Sequence, residues 1–185
     1  LFARAGAIVP LLPDDPRPGR RIIEVFTGAA GHFTFCEQPG GGKASPQCAK
    51  IEMVYDENDR QRTLRISPAT PEGALPPAMA LEVRLHGPVA PTEVLVDGRP
   101  VRAADRLQGE PAWTHRQEQA STIVLTPSLP LSRPVEIAFC GQFDREVVGL
   151  IDRLREMVPR LESAAILLRR HHAPEDLIRL AVSAA

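Results

Sequence analysis

Apolar and polar side chains alternate in short runs over the first three quarters of the chain, and each run has the period of a strand that buries one face. In Leu81-Glu82-Val83-Arg84-Leu85 the apolar side chains project to one side and the charges to the other. Ile51, Met53 and Tyr55 alternate with polar Glu52, Phe33 and Phe35 flank Thr34, Leu64 and Ile66 flank Arg65, and Val135, Ile137 and Phe139 enclose Glu136 and Ala138. Val94-Leu95-Val96 leads into Asp97-Gly98, a pair that supplies the positive φ angles of a tight hairpin turn, and then into Arg99-Pro100-Val101, where Pro100 predicts an edge strand. Pro68, Pro71, Pro76 and Pro77 after Ile66, and Pro127, Pro130 and Pro134 after Leu125, would forfeit ladder hydrogen bonds and so predict loops. Roughly ten short strands at this spacing, without a helix between them, predict an antiparallel β-sandwich and not a doubly wound sheet.

The period changes near Gln142. From Asp144, a residue type suited to an N-cap, the apolar residues Val147, Val148, Leu150, Ile151, Leu154, Met157, Val158 and Leu161 recur at the spacing of one helix face. Pro159 should kink or end that helix, a second piece follows over Leu161 to His171, and Pro174-Glu175-Asp176 opens a last short one. The expected fold is therefore mainly β, an antiparallel β-sandwich followed by a C-terminal α-helical tail. The tail's apolar stripe would pack on the sandwich, with self-association as the alternative.

Composition narrows the classes. The 185 residues allow one good core plus an appendage but not a complete barrel of about 250 residues. With 22 Lys and Arg against 23 Asp and Glu, scattered and without aromatic interleaving, nothing marks a nucleic-acid partner. No apolar run is long enough for a membrane helix and no signal peptide is readable, so neither a membrane anchor nor a compartment is assigned. Cys36, Cys48 and Cys140 are too few for a disulfide framework or zinc knuckle; they read as buried thiols, and one pair could bond in an oxidising compartment.

The opening Leu1-Phe2-Ala3-Arg4-Ala5-Gly6-Ala7-Ile8-Val9-Pro10 resembles a segment that lies beyond the catalytic barrel in family 31 glycoside hydrolases, the α-glucosidase and α-xylosidase family. Ile22 to Gly28 and Gly31 to Glu37 are similar to the strand, turn and strand with which that family's distal β-domain begins. Ile51 to Asp56, Arg62 to Ile66, and Val94 to Val101 continue the likeness, which covers roughly residues 1 to 140. The family's acidic turn reads here Glu37-Gln38-Pro39-Gly40-Gly41, two carboxylates fewer. The resemblance implies a division into 1–18, an orphan and poorly secured end of the preceding proximal β-domain; 19–141, the distal sandwich; and 142–185, the tail. It also implies that the paired aspartates of the family's retaining chemistry sit on barrel loops upstream, so no catalytic, cofactor or metal residue is carried onto this chain.

Read residue by residue, the remaining candidates are modest. Asp56-Glu57-Asn58-Asp59 lacks the glycine and distant glutamate of a calcium loop and predicts a solvated hairpin turn. Gly40-Gly41-Gly42-Lys43 lacks the spacing of a phosphate loop, and adjacent His171 and His172 point about 100° apart on a helix. His32, His86 and His115 are isolated, with no nucleophile motif beside them. Tyr55 falls on an apolar face. The functional expectation is a non-catalytic accessory module of an α-glycosidase, with the parent's barrel and proximal β-domain as partners. The alternative is a carbohydrate-binding module that contacts glycans through Trp113, Glu110 and His115.

Overall fold

The structure, a computed structural model, describes residues 3–11, 20–37, 49–67, 78–130 and 132–143, and the single positions 157, 160, 163 and 166. Residues 1–143 form one compact unit and 144–185 a second. In the second, the four described positions are helical, and Met157 and Ile166 among them are exposed. The helical tail as a whole lies outside the described residues, as do the turn at 38–41, the glycine run and the His171-His172 pair.

The first unit contains β1 (Ile8–Leu11), β2 (Arg20–Phe26), β3 (Gly31–Glu37), β4 (Ala49–Glu57), β5 (Gln61–Ser67), β6 (Ala78–His86), β7 (Glu93–Val96), β8 (Arg99–Val101), β9 (Ala112–Arg116), β10 (Ser121–Pro130) and β11 (Val135–Cys140). They form a five-stranded sheet, β1-β2-β6-β10-β9, and a six-stranded sheet, β3-β4-β5-β11-β7-β8. The alternation read from the sequence is what joins them. Met79, Leu81, Val83 and Leu85 of β6 meet Ile51, Met53 and Tyr55 of β4 and Ile137 and Phe139 of β11 in one core, all buried. The Asp97-Gly98 turn has both residues at positive φ, 50° and 74°, and Pro100 lies in β8 at a sheet edge, as expected.

Three features differ from the sequence reading. First, β2 and β6 pair in parallel, with Ile23 opposite Val83. A parallel pair needs a long crossover, and the excursion through β3, β4 and β5 in the other sheet provides it. Second, Pro127 and Pro130 lie inside β10 and not in a loop; the register of β10 against β6 shifts between Leu125 and Ser128, and that bulge absorbs the proline without a ladder donor. Third, the opening strand is secured within this unit. β1 pairs antiparallel with β2, Ile8 is buried in the shared core, and the Gly6 amide donates to the Phe26 carbonyl at 2.8 Å. Gly6, at φ 78°, crosses Gly31 so closely that an added Cβ at Gly31 would land inside the Gly6 carbonyl group.

Candidate functional site

Two clusters of charged side chains stand out, one inside the sandwich and one on its surface. The inner one follows from strand alternation: Tyr55 faces inward on β4, and Glu57, two residues on, keeps the same side, opposite Arg62 at the start of β5. The Tyr55 hydroxyl donates to Glu57 Oε2 at 2.7 Å, and the Gly28 amide donates to Glu57 Oε1 at 3.0 Å. Arg62 Nε lies 3.6 Å from the same carboxylate, and its guanidinium carbon sits 4.1 Å above the centre of the Phe143 ring. The ring is brought there by two backbone bonds, Gly141 N–H to Arg60 O at 3.0 Å and Phe143 N–H to Asp59 O at 2.7 Å.

Arg62 is only 3% exposed, and its Nε and Nη1 make no hydrogen bond. Burial lowers the affinity of this guanidinium for its proton, and Tyr55 and Glu57 offset only part of the effect. Burial, then the hydrogen bond to Glu57, pushes the Tyr55 phenol far above its ordinary range. A buried phenol that donates to a carboxylate already accepting from a backbone amide ties β4 to the turn after β2. Glu57, expected in a solvated turn, is the residue that the sequence reading missed; the alternation carried past Tyr55 would have placed it inward. The rest of the turn is as expected, with Asn58 Oδ1 accepting from the amides of Arg60 and Gln61.

The outer cluster belongs to the five-stranded sheet. Parallel pairing sets Glu24 of β2 opposite Arg84 of β6, and Phe26 opposite His86. Arg84 donates through Nε to Glu82 Oε1 at 2.8 Å and through Nη1 to Glu24 Oε1 at 3.3 Å, so a guanidinium bridges two carboxylates. Burial alone would lower the Arg84 pKa, but the two glutamates outweigh it and hold it up. The His86 ring stacks on Phe26 with centroids 4.5 Å apart and planes 8° from parallel. Its Nε2 is 3.7 Å from Glu24 Oε2 and makes no hydrogen bond. Burial lowers the His86 pKa, Glu24 partly offsets this, and Arg84 adds to it.

This row forms one wall of a groove of about 550 Å³. Ile123 and Leu125 of β10 line it, as do Leu107, Gln108 and Gly109 from the loop between β8 and β9, and Arg116 and Gln119. A second hollow of about 450 Å³ shares Gln108 and is lined by Arg102, Asp105, Arg106 and Glu110. Such an arrangement can orient polar groups; Glu24 and Glu82 are both engaged with one arginine.

The residues singled out for glycan contact are not gathered into one site. Trp113 is half-buried against the core, and its indole N–H donates to the Val101 carbonyl at 3.1 Å. His115 Nδ1 lies 2.9 Å from Thr122 Oγ1. Glu110 is exposed, 3.9 Å from Arg102, and lines the second hollow, which neither Trp113 nor His115 lines. His32 Nε2 pairs with Glu52 at 2.7 Å on the surface, and Cys140 is a free thiol. Among the described residues no three of His, Cys, Asp and Glu converge as a metal set, and no helix is long and apolar enough to cross a membrane.

No family model and no curated protein matches the sequence. Solved structures do match the fold. A GH31 dextranase of Flavobacterium johnsoniae complexed with glucose superimposes with a TM-score of 0.64 at 15% identity, over 76% of this chain and 20% of the dextranase chain. Its D412A mutant complexed with isomaltotriose gives 0.62 at 14% identity over the same shares. An α-1,4-glucan lyase of Gracilariopsis lemaneiformis gives 0.54 at 17% identity, over 74% of this chain and 16% of the lyase. The chain thus spans about a fifth of the length of these dextranase structures. It shares its fold with part of a family 31 glycoside hydrolase, in agreement with the resemblance of its sequence to the region beyond that family's barrel.

Proposed function

We propose that this chain is a non-catalytic accessory module, the C-terminal β-sandwich of a family 31 α-glycosidase, and that it braces the barrel and the preceding β-domain of a longer enzyme. The observation that carries the reading is the asymmetry of the match, which takes in 76% of this chain but 20% of the dextranase. The interior supports it. The space between the sheets is filled by apolar side chains, and Tyr55 and Glu57, beside the buried Arg62, bond to each other and to the Gly28 amide. The implied reaction of the longer enzyme is hydrolysis of an α-glucoside or α-xyloside by residues outside this chain.

The test is to incubate the purified 185-residue chain with aryl α-glucosides, aryl α-xylosides and dextran. No release of aglycone or reducing sugar above buffer is expected. Saturable turnover that Glu24→Gln or Glu82→Gln abolishes would overturn the reading.

A further inference from the structure

We propose that the outer edge of β3 pairs antiparallel with β3 of a second copy of this chain, about a two-fold axis at Thr34, and so joins the two six-stranded sheets into one. The inference goes beyond the accessory reading, which carries no statement of copy number and survives if the chain is monomeric.

A strand at the end of a sheet leaves half its backbone donors and acceptors unpaired, and proteins block such edges with proline, short strands, charge or a covering segment. Of the four described edges, three are blocked. β1 has four residues and carries Pro10, and β8 has three and carries Pro100. β9 is covered, because the Trp113 amide donates to the Arg102 carbonyl at 2.9 Å and the Ala104 amide to the Trp113 carbonyl at 2.8 Å. β3 has seven residues, Gly31-His32-Phe33-Thr34-Phe35-Cys36-Glu37, without proline, lysine or arginine. It ends the six-stranded sheet, and among the described residues no backbone group bonds to its outer side.

The phase of the ladder says which groups are open. The Asn58 amide donates to the Gln61 carbonyl, so the even-numbered residues of β4 bond to β5 and the odd-numbered ones to β3. The odd-numbered residues of β3 answer them, and the N–H and C=O groups of His32, Thr34 and Cys36 point outward.

The order of residues then selects the occupant. β3 centres on Thr34 with a phenylalanine on each side, and such a palindrome suits the self-complementary contact that a two-fold axis demands. With Thr34 on the axis, His32 stands opposite Cys36 of the second copy, and the outward backbone groups of both strands meet in phase. Phe33 then stands opposite Phe35 of the second copy in a non-hydrogen-bonded pair, where aromatic residues combine favourably. Gly31 falls opposite Glu37, so no two like charges face each other. An axis at residue 33 or 35 would instead set inward-facing backbone groups against one another. The contact uses the open edge of both copies, and the assembly closes at two.

The experiment is analytical ultracentrifugation of the full chain up to about 1 mM, with backbone hydrogen exchange at low and high concentration. A reversible monomer–dimer equilibrium is expected, in which the amides of His32, Thr34 and Cys36 gain protection as the dimer forms. Thr34→Pro removes an outward donor from each copy and no bond to β4, and should weaken association roughly ten-fold or more. Thr34→Lys reports even if the proline disturbs the strand, since residue 34 is exposed and stands opposite Glu52 in its own sheet. It sets like charges together at the axis and should weaken the dimer more at low salt than at high. Val9→Lys on the β1 edge and Ile166→Ser in the second unit, both at exposed positions, should leave the dimer unchanged. A chain that stays monomeric overturns the proposal and leaves the edge to a strand of another protein or to none. So do a dimer that both Thr34 variants retain, a dimer lost in Ile166→Ser, or an open-ended polymer.

Discussion

Arg62 and Arg84 are both arginines beside glutamates, yet the two sheets put them to opposite uses. The Arg84 side chain is 34% exposed and makes short bonds to two carboxylates; that of Arg62 is 4% exposed, stands 3.6 Å from one carboxylate, and spends the rest of its surface on a Phe143 ring and on atoms without partners. The better geometry lies where water weakens it, and the poorer geometry lies where nothing else can compensate. An exposed pair contributes little net stability because solvent already satisfies both ions. A buried pair is hard to remove by halves, because the survivor is left charged in a medium that cannot solvate it. Ion-pair distance alone would rank these two sites the wrong way round.

That contrast can be broken or sharpened by substitution. The largest effect is expected from Glu57→Ala, which strands the Arg62 guanidinium and removes the acceptor for Tyr55 and Gly28; chemical denaturation should show a loss of about 3 kcal/mol. Tyr55→Phe removes only the hydroxyl that donates to Glu57 and keeps the ring in the core. A loss of about 2 kcal/mol is expected, as for a hydrogen bond to a charged group; an unchanged unfolding midpoint would mean that the carboxylate draws nothing from the phenol. Gly87→Ala comes next, because a Cβ there would lie 2.9 Å from Arg62 Nη1 and 2.9 Å from Thr27 Oγ1. Arg62 Nη1 is the far end of a long side chain, but Thr27 is short, presents Cγ2 at 3.0 Å as well, and is tied to the His86 carbonyl, so about 1–2 kcal/mol is expected.

The smallest predicted effect is a pH dependence on the outer face. His86 is held below its ordinary value of 6.5, chiefly by burial. The unfolded chain therefore binds the proton first as pH falls. The stabilisation is complete above about 6.5 and declines below it, until the folded ring is protonated as well. Melting temperature followed from about pH 7.5 to about pH 5.5 should fall less in His86→Phe than in the unmodified chain; equal slopes would remove His86 from the account.

Much of the fold was legible because alternation is a local signal. β3, β4, β5, β6, β7, β8 and β11 fall where their apolar residues predicted, and Tyr55 is fully buried, as its position on an apolar face implied. What was not legible depends on partners remote in the chain. Nothing local says that β2 lies parallel to β6, although that pairing alone sets Glu24 beside Arg84. The prolines of β10 looked like breakers because a bulge cannot be seen without the neighbouring strand. The groove takes part of its lining from Leu107, Gln108 and Gly109 of the loop between β8 and β9, and the loop's own residues carry no sign of that.

The buried Arg62 cluster holds this fold more than the half-exposed Arg84 row does. Equilibrium unfolding of Arg62→Ala and Arg84→Ala beside the unmodified chain tests it most directly. Arg62→Ala should cost about 3 kcal/mol, and Arg84→Ala, after solvent screening, about 1 kcal/mol or less. Equal losses, or a larger loss at Arg84, would contradict the division between a buried cluster that holds the fold and an exposed one that contributes little.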